Sequence, residues 1–239
     1  MTSPFAWEHQ YVLPFIFILL TSFCFSIYWF LSVNKKIETF FFSKYDKDKA
    51  WLNYVVFQKL TGFFFLGIIP AIVILSISDY SLTSLGMNLK NLNQSLLYIL
   101  IIGGLFLVVN YFNTKKKTSL SVYPQMRINR WAKKEILINS LAWTAYLFSY
   151  EFLFRGILLI TCVDTFGFWP AVAINLSLYS TTHIPKGLTE TLSTFPYGLI
   201  LCLITISTGS FLVAFITHLI LALSNDYFSI HHNPEFQFV

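Results

Sequence analysis

Apolar residues run through this chain in long blocks, separated by shorter polar stretches. The first block is Tyr11 to Val33. About 20 apolar residues in a helix cross the ~30 Å hydrocarbon core of a bilayer, so a block of this length reads as a transmembrane helix. Pro14 falls in its first turn, where proline is tolerated. The second span is roughly Tyr54 to Ser78, with Lys59 near its start and Pro70 within it. Lys59 is expected to snorkel to the interface. Leu96 to Tyr111 forms the third span, Ile136 to Val163 the fourth, and Trp169 to Ile184 the fifth. The last two, Phe195 to Ile206 and Phe211 to Leu223, are short. A helix of about 13 residues covers only ~20 Å, so these two either extend into their flanks or are partly re-entrant. The predicted fold is an all-α, polytopic transmembrane helix bundle of about seven spans, within limits of six to eight.

The polar stretches orient the bundle. Asn34 to Asn53 carries Lys35, Lys36, Lys44, Lys47 and Lys49. Thr114 to Lys134 carries Lys115, Lys116, Lys117, Arg127, Arg130, Lys133 and Lys134. These twelve are most of the 16 Lys and Arg residues, so both loops are expected in the cytoplasm, with the amino terminus outside. The net charge of +5 is thereby explained by topology, and no nucleic-acid partner is expected. Only 11% of residues are charged, against about 25% in soluble domains. Cys24, Cys162 and Cys202 lie scattered in apolar runs and read as small buried hydrophobes. The tail around His231-His232-Asn233-Pro234 is expected to be disordered, its paired histidines being a weak metal signal.

Against this background the stretch Tyr150-Glu151-Phe152-Leu153-Phe154-Arg155-Gly156 stands out. Glu151 and Arg155 share a helix face at a spacing of four. Ionisable groups at membrane depth are costly and mark either a functional site or a structural ion pair. His183 and His218 lie in two further apolar runs. Each alone reads as a hydrogen-bonded interhelical residue, but bundles also build sites from side chains projecting inward from several helices. A flat threading puts Glu151 near mid-membrane, His183 in the inner half and His218 near the middle, so convergence requires tilted or short helices. The residues leave four readings open: an intramembrane hydrolase, a non-catalytic binder, a metal site on Glu151, His183 and His218, and a transporter.

Three motifs in order resemble the CAAX protease and bacteriocin-processing (Abi) family. Its Glu-Glu-x-x-x-Arg is similar to Tyr150-Glu151-x-x-x-Arg155, followed by Gly156. Its Phe-x-x-x-His is similar to Tyr179-x-x-x-His183, and its His-x-x-x-Asn to His218-x-x-x-Ala222. Tyr197-Gly198-Leu199-Ile200, Thr208-Gly209-Ser210 and the upstream Ser84-Leu85-Gly86-Met87 also resemble family segments. The resemblance divides the chain into amino-terminal helices (1–79), a CAAX-protease-like membrane domain (80–226) and a short tail (227–239). It implies an intramembrane endopeptidase acting on a membrane-associated peptide or protein, with proteolysis serving peptide maturation or bacteriocin self-immunity. In the family's mechanism, a glutamate and the second-motif histidine activate water, while the last histidine and the asparagine stabilise the oxyanion. Carried over, Glu151, His183, His218 and Arg155 are the catalytic candidates. Tyr150 and Tyr179 are substrate or oxyanion candidates, and no cofactor is implied.

Two positions depart from the pattern. Tyr150 stands where the family's first glutamate acts, and a phenol is a poor base at neutral pH. Ala222 stands where the asparagine would donate. A catalytically inactive relative that binds a peptide or partner is therefore the alternative expectation. The partners expected are the lipid bilayer and a membrane-associated peptide. A Lys-, Asn-, Ile- and Phe-rich composition suggests a bacterial cytoplasmic membrane.

Overall fold

The computed structural model describes residues 8–239 and is helical throughout. A short 3-10 turn, His9–Tyr11, leads into α1 (Val12–Ser32). Next come α2 (Lys35–Lys44) and α3 (Lys47–Phe63). A π-helical segment, Phe64–Ile68, joins α3 to α4 (Ile69–Ile77), the first turn of which holds Pro70. The chain continues through α5 (Leu92–Asn113), the single turn α6 (Lys117–Leu120) and β1 (Arg130–Trp131). A second π segment, Phe152–Leu158, links α7 (Lys133–Glu151) to α8 (Leu159–Phe166). Last come α9 (Phe168–Thr181), α10 (Leu188–Thr208), α11 (Phe211–His232) and β2 (Gln237–Phe238).

Six of these helical runs are long and apolar enough to cross a membrane. Their outward faces stay greasy, with Phe30, Leu100 and Leu141 all open at the surface. The chain is an integral membrane helix bundle. The fifth expected span, α9, has only 14 residues and falls short of a full crossing, which leaves six long spans. The two runs expected to be short are instead full length, 21 and 22 residues. Their polar flanks, Leu188 to Thr194 and Ser224 to His232, continue the helices because the backbone satisfies its own hydrogen bonds there. Ser210 caps α11, its hydroxyl accepting from the Leu212 amide.

Contacts between loops sort them to two ends of the bundle. At one end the Asp48 carboxylate accepts from the Asn129 amide, so the two basic loops meet. Gln237 N donates to Asn129 O at 2.9 Å, and β1 and β2 pair in parallel there. At the other end Tyr80 bonds Asp164, and Phe211 N donates to Gly86 O at 3.1 Å. The tail is ordered, contrary to the disorder expected of it. Phe236 is buried against Met126, Ile128 and Trp131, a hydrophobic anchor that offsets the entropy of fixing a few terminal residues.

Lys59 reaches the second basic loop, which contains Gln125. It is buried, donates to Gln125 Oε1 at 2.8 Å and sits 3.1 Å above the centre of the Trp143 ring. The aromatic face and the amide oxygen replace the water that snorkelling would have supplied.

Candidate active site

The site forms where α7 meets α11. The two helices run antiparallel, and their contacts repeat in steps of four. Glu151 meets His218, Leu147 and Trp143 pack around Ala222, and Trp143 donates to Asp226. Glu151 is the last residue of α7 before the π segment. A π segment breaks the regular register of a helix, and such segments recur at functional sites. The carbonyl of Phe154, within that segment, is held from α9 by Asn175 Nδ2 at 2.6 Å.

The turn that starts α11 is fixed from outside the matched motifs. Gly86 adopts φ +86°, which favours glycine, and its carbonyl receives the Phe211 amide. Asn88 Nδ2 donates to Gly209 O at 2.7 Å, and Ser210 Oγ donates to Asn88 O at 2.7 Å. On the facing helix, a Cβ on Gly156 would stand 3.0 Å from the Leu85 carbonyl. The Ser84–Met87 linker therefore packs directly between the Glu151 segment and the start of the His218 helix.

All six candidate residues converge, as tilt and short helices permit. Glu151 and Arg155 are fully buried. His218 Nδ1 lies 2.6 Å from Glu151 Oε1, and Arg155 Nη1 lies 3.2 Å from Glu151 Oε2. A carboxylate only accepts, so His218 Nδ1 carries the proton and its Nε2 is the basic nitrogen. His183 Nδ1 lies 3.0 Å from the Tyr179 carbonyl and 3.1 Å from Thr182 Oγ1. A carbonyl likewise only accepts, so His183 Nδ1 is the donor here and Nε2 is the basic nitrogen of the neutral ring. Tyr150 lies between the two histidines, with ring centres 6.4 Å from His183 and 6.0 Å from His218. Its hydroxyl bonds Thr182 Oγ1 at 2.7 Å. Tyr179 lies under the Arg155 guanidinium, 4.1 Å from ring centre to Cζ.

Glu151 is hydrogen-bonded to His218 rather than to His183. The reason is geometric: Glu151 points across to α11, and the side chain facing His183 and Thr182 is Tyr150. Ala222 is also away from the cluster, filling the gap beside Trp143 and Leu147. Among the described residues, no three His, Cys, Asp or Glu side chains are grouped so as to hold a metal ion.

Several buried atoms here lack a hydrogen-bond partner. None of the Arg155 nitrogens meets an acceptor in bonding geometry, and the same is true of Glu151 Oε2 and the Tyr197 hydroxyl. The ion pair is thus close but not directed. Tyr197 stands edge-on to His218, ring centres 5.8 Å apart. Buried orphan polar groups are rare and call for a functional account.

Residues 135–224 match the family model for type II CAAX prenyl endopeptidase Rce1-like proteins. This stretch is similar to Rce1-like domains. The match runs from the first turn of α7 to Ser224 in α11 and takes in all six site residues. No curated protein and no solved structure matches the chain. The matched stretch is thereby similar to the CAAX-type intramembrane proteases, the family that the motifs resemble.

Two turns along the same helix pair, reaching past the matched stretch, lies a second polar cluster that the motifs do not announce. Asp226 is fully buried and accepts from Asn139 Nδ2 at 3.0 Å and from Trp143 Nε1 at 2.7 Å. The Trp143 indole thus donates from its edge to a carboxylate while its face carries the Lys59 ammonium. Asp226 lies two turns beyond His218 and Trp143 two turns before Glu151, so this contact sets the same helix register as the Glu151–His218 pair. Tyr197, Asp226 and Asn139 were all findable as polar groups in apolar runs, but nothing in their spacing ties them to the motifs.

Proposed function

We propose that the chain is an intramembrane endopeptidase that hydrolyses a peptide bond of a membrane-associated peptide or protein. The observation that carries this reading is the Glu151–His218 hydrogen bond of 2.6 Å at the end of a buried helix, with a second histidine, His183, across Tyr150. Glu151 holds His218 in the Nδ1–H tautomer and stabilises the imidazolium that forms when Nε2 takes a proton from water. The water oxygen bonds to the scissile carbonyl carbon, and the carbonyl oxygen becomes an oxyanion. His218 Nε2 then returns its proton to the departing amide nitrogen as the C–N bond breaks. His183 Nε2 offers a second basic nitrogen beside the same space. The Tyr150 hydroxyl and the unpartnered Tyr197 hydroxyl are the donors that replace the family's asparagine at the oxyanion. Arg155, stacked on Tyr179, balances the Glu151 charge in a dry interior.

The proposed setting is a bacterial cytoplasmic membrane, with the basic loops inside. The test is proteolysis of a panel of tagged small membrane peptides in liposomes by wild type and by Glu151→Gln, His183→Ala and His218→Ala. Cleavage by wild type and its loss in Glu151→Gln and His218→Ala are expected. Full activity in all three variants overturns the reading.

One observation favours a second reading. Tyr150 holds the position of the family's glutamate, and its hydroxyl is tied to Thr182. In that reading the chain is an inactive relative that binds a peptide or partner protein in the same cavity. A silent wild type together with a cleaving Tyr150→Glu variant selects this second reading.

A further inference from the structure

Away from the catalytic cluster, the bundle carries a groove of about 710 Å³ between the end of α1, the α2–α3 turn and the outer face of α3. Leu31, Phe41, Val56, Phe57 and Leu60 line it, so its walls are apolar and aromatic. Its volume lies within the range of ligand pockets, ~300–1,000 Å³. The mouth is different in kind. Tyr45 and Asn53 line it, and two ammonium groups stand over the Tyr45 ring, Lys44 Nζ at 5.6 Å and Lys49 Nζ at 5.2 Å.

These two lysines are not neutralised within the protein. The carboxylates nearby in sequence are committed elsewhere. Glu38 pairs with Lys35 at 2.7 Å, Asp46 accepts from the Lys49 backbone amide, and Asp48 accepts from the Asn129 amide. Among the described residues, neither Lys44 nor Lys49 has an ion-pair partner. The surrounding helix α2 buries none of its residues, exposes Phe40 and Phe42 and carries Lys35, Lys36 and Lys44. Exposed apolar and basic residues on one helix suit a membrane interface. The groove therefore joins an apolar trough to two ammonium groups beside Tyr45.

We propose that this groove is a binding site for one anionic phospholipid. An acyl chain lies along Phe41, Val56, Phe57 and Leu60, and the phosphate bridges Lys44 and Lys49 beside the Asn53 amide. Charge complementarity selects the anionic headgroup, because two unpaired ammonium groups at one mouth favour a ligand with net negative charge over a zwitterion. The site is independent of the Glu151–His218 cluster and of any proteolytic activity.

The experiment is native mass spectrometry of the full chain, released from nanodiscs of equal phosphatidylglycerol and phosphatidylcholine with matched acyl chains. One retained phosphatidylglycerol per chain is expected, in preference to phosphatidylcholine. Lys44→Ala with Lys49→Ala weakens that retention by about 30-fold, on the usual contribution of a basic residue near an anionic headgroup. Lys36→Ala with Lys47→Ala removes the same charge away from Tyr45 and leaves retention unchanged. Val56→Trp fills the trough and abolishes retention, with helical content checked by circular dichroism. Glycerol phosphate, which has no acyl chain, does not compete. Equal retention of the two lipids, an equal loss in both lysine pairs, or displacement by glycerol phosphate overturns the proposal.

Discussion

Replacing Asp226 with alanine is the sharpest test of how the bundle holds its register. The carboxylate is fully buried and accepts two N–H donors, from Asn139 at 3.0 Å and Trp143 at 2.7 Å. Hydrogen bonds to a charged acceptor contribute about 1.5–3 kcal/mol each, which places an upper bound near 6 kcal/mol on the pair. Interhelical hydrogen bonds measured within membranes average only about 0.6 kcal/mol, which sets the lower bound near 1 kcal/mol. The loss also leaves two donors buried without an acceptor and removes a negative charge beside Trp143, whose face holds Lys59. We expect Asp226→Ala to cost about 3 kcal/mol, and Asp226→Asn, which keeps one acceptor oxygen, about 1 kcal/mol. Lys59→Met in the Asp226→Ala background should recover part of the loss, with a coupling of about 1–3 kcal/mol. Reversible unfolding in mixed micelles, followed by tryptophan fluorescence, measures all four corners of that cycle. A cost within about 0.5 kcal/mol of zero, or no coupling to Lys59, refutes the account of Asp226 as the second fixed point between α7 and α11.

Three further outcomes follow from close packing. A Cβ on Gly67 would overlap the Ser149 hydroxyl and stand 2.7 Å from Ser149 Cβ, so Gly67→Ala should destabilise by about 1–3 kcal/mol and Ser149→Gly should restore most of it in a thermal unfolding assay. Ala222→Asn, which writes the family's asparagine back into the chain, should lower stability by a similar amount without raising cleavage, because position 222 packs between Trp143 and Leu147. Phe236→Ala should cost about 2–3 kcal/mol and open the β1–β2 end to limited proteolysis, since that ring anchors the tail on Met126, Ile128 and Trp131.

Much of this fold is legible from the blocks of apolar residues, because in a bilayer a helix must carry about 20 of them and the signal is strong. Legibility fails where polarity and helicity part company. Leu188 to Thr194 reads as loop by composition, yet it is the first turns of α10. Phe168 to Thr181 reads as a crossing by hydropathy, yet it stops at 14 residues. The partners of Lys59 are likewise not legible, because the Trp143 face and the Gln125 amide oxygen come from residues far away in sequence.

The site divides in the same way. Glu151, Arg155, His183 and His218 are legible because charge and imidazole are expensive in apolar runs, so few are present and each is conspicuous. Which of them pair is not legible, because that depends on the register between helices far apart in sequence. The mechanism implied by the resemblance puts Glu151 with His183. The π segment after Glu151 and the two-turn match between Trp143–Asp226 and Glu151–His218 give the other pairing. The same register explains Ala222. Midway between those two contacts Ala222 packs against Trp143 and Leu147, where a small side chain fits. Absence of the asparagine is therefore a packing feature of this α7–α11 pair, and in the proposed mechanism an oxyanion donor has to come from another helix. Tyr197 on α10, its ring edge-on to His218 and its hydroxyl without a partner, is the residue proposed to supply it.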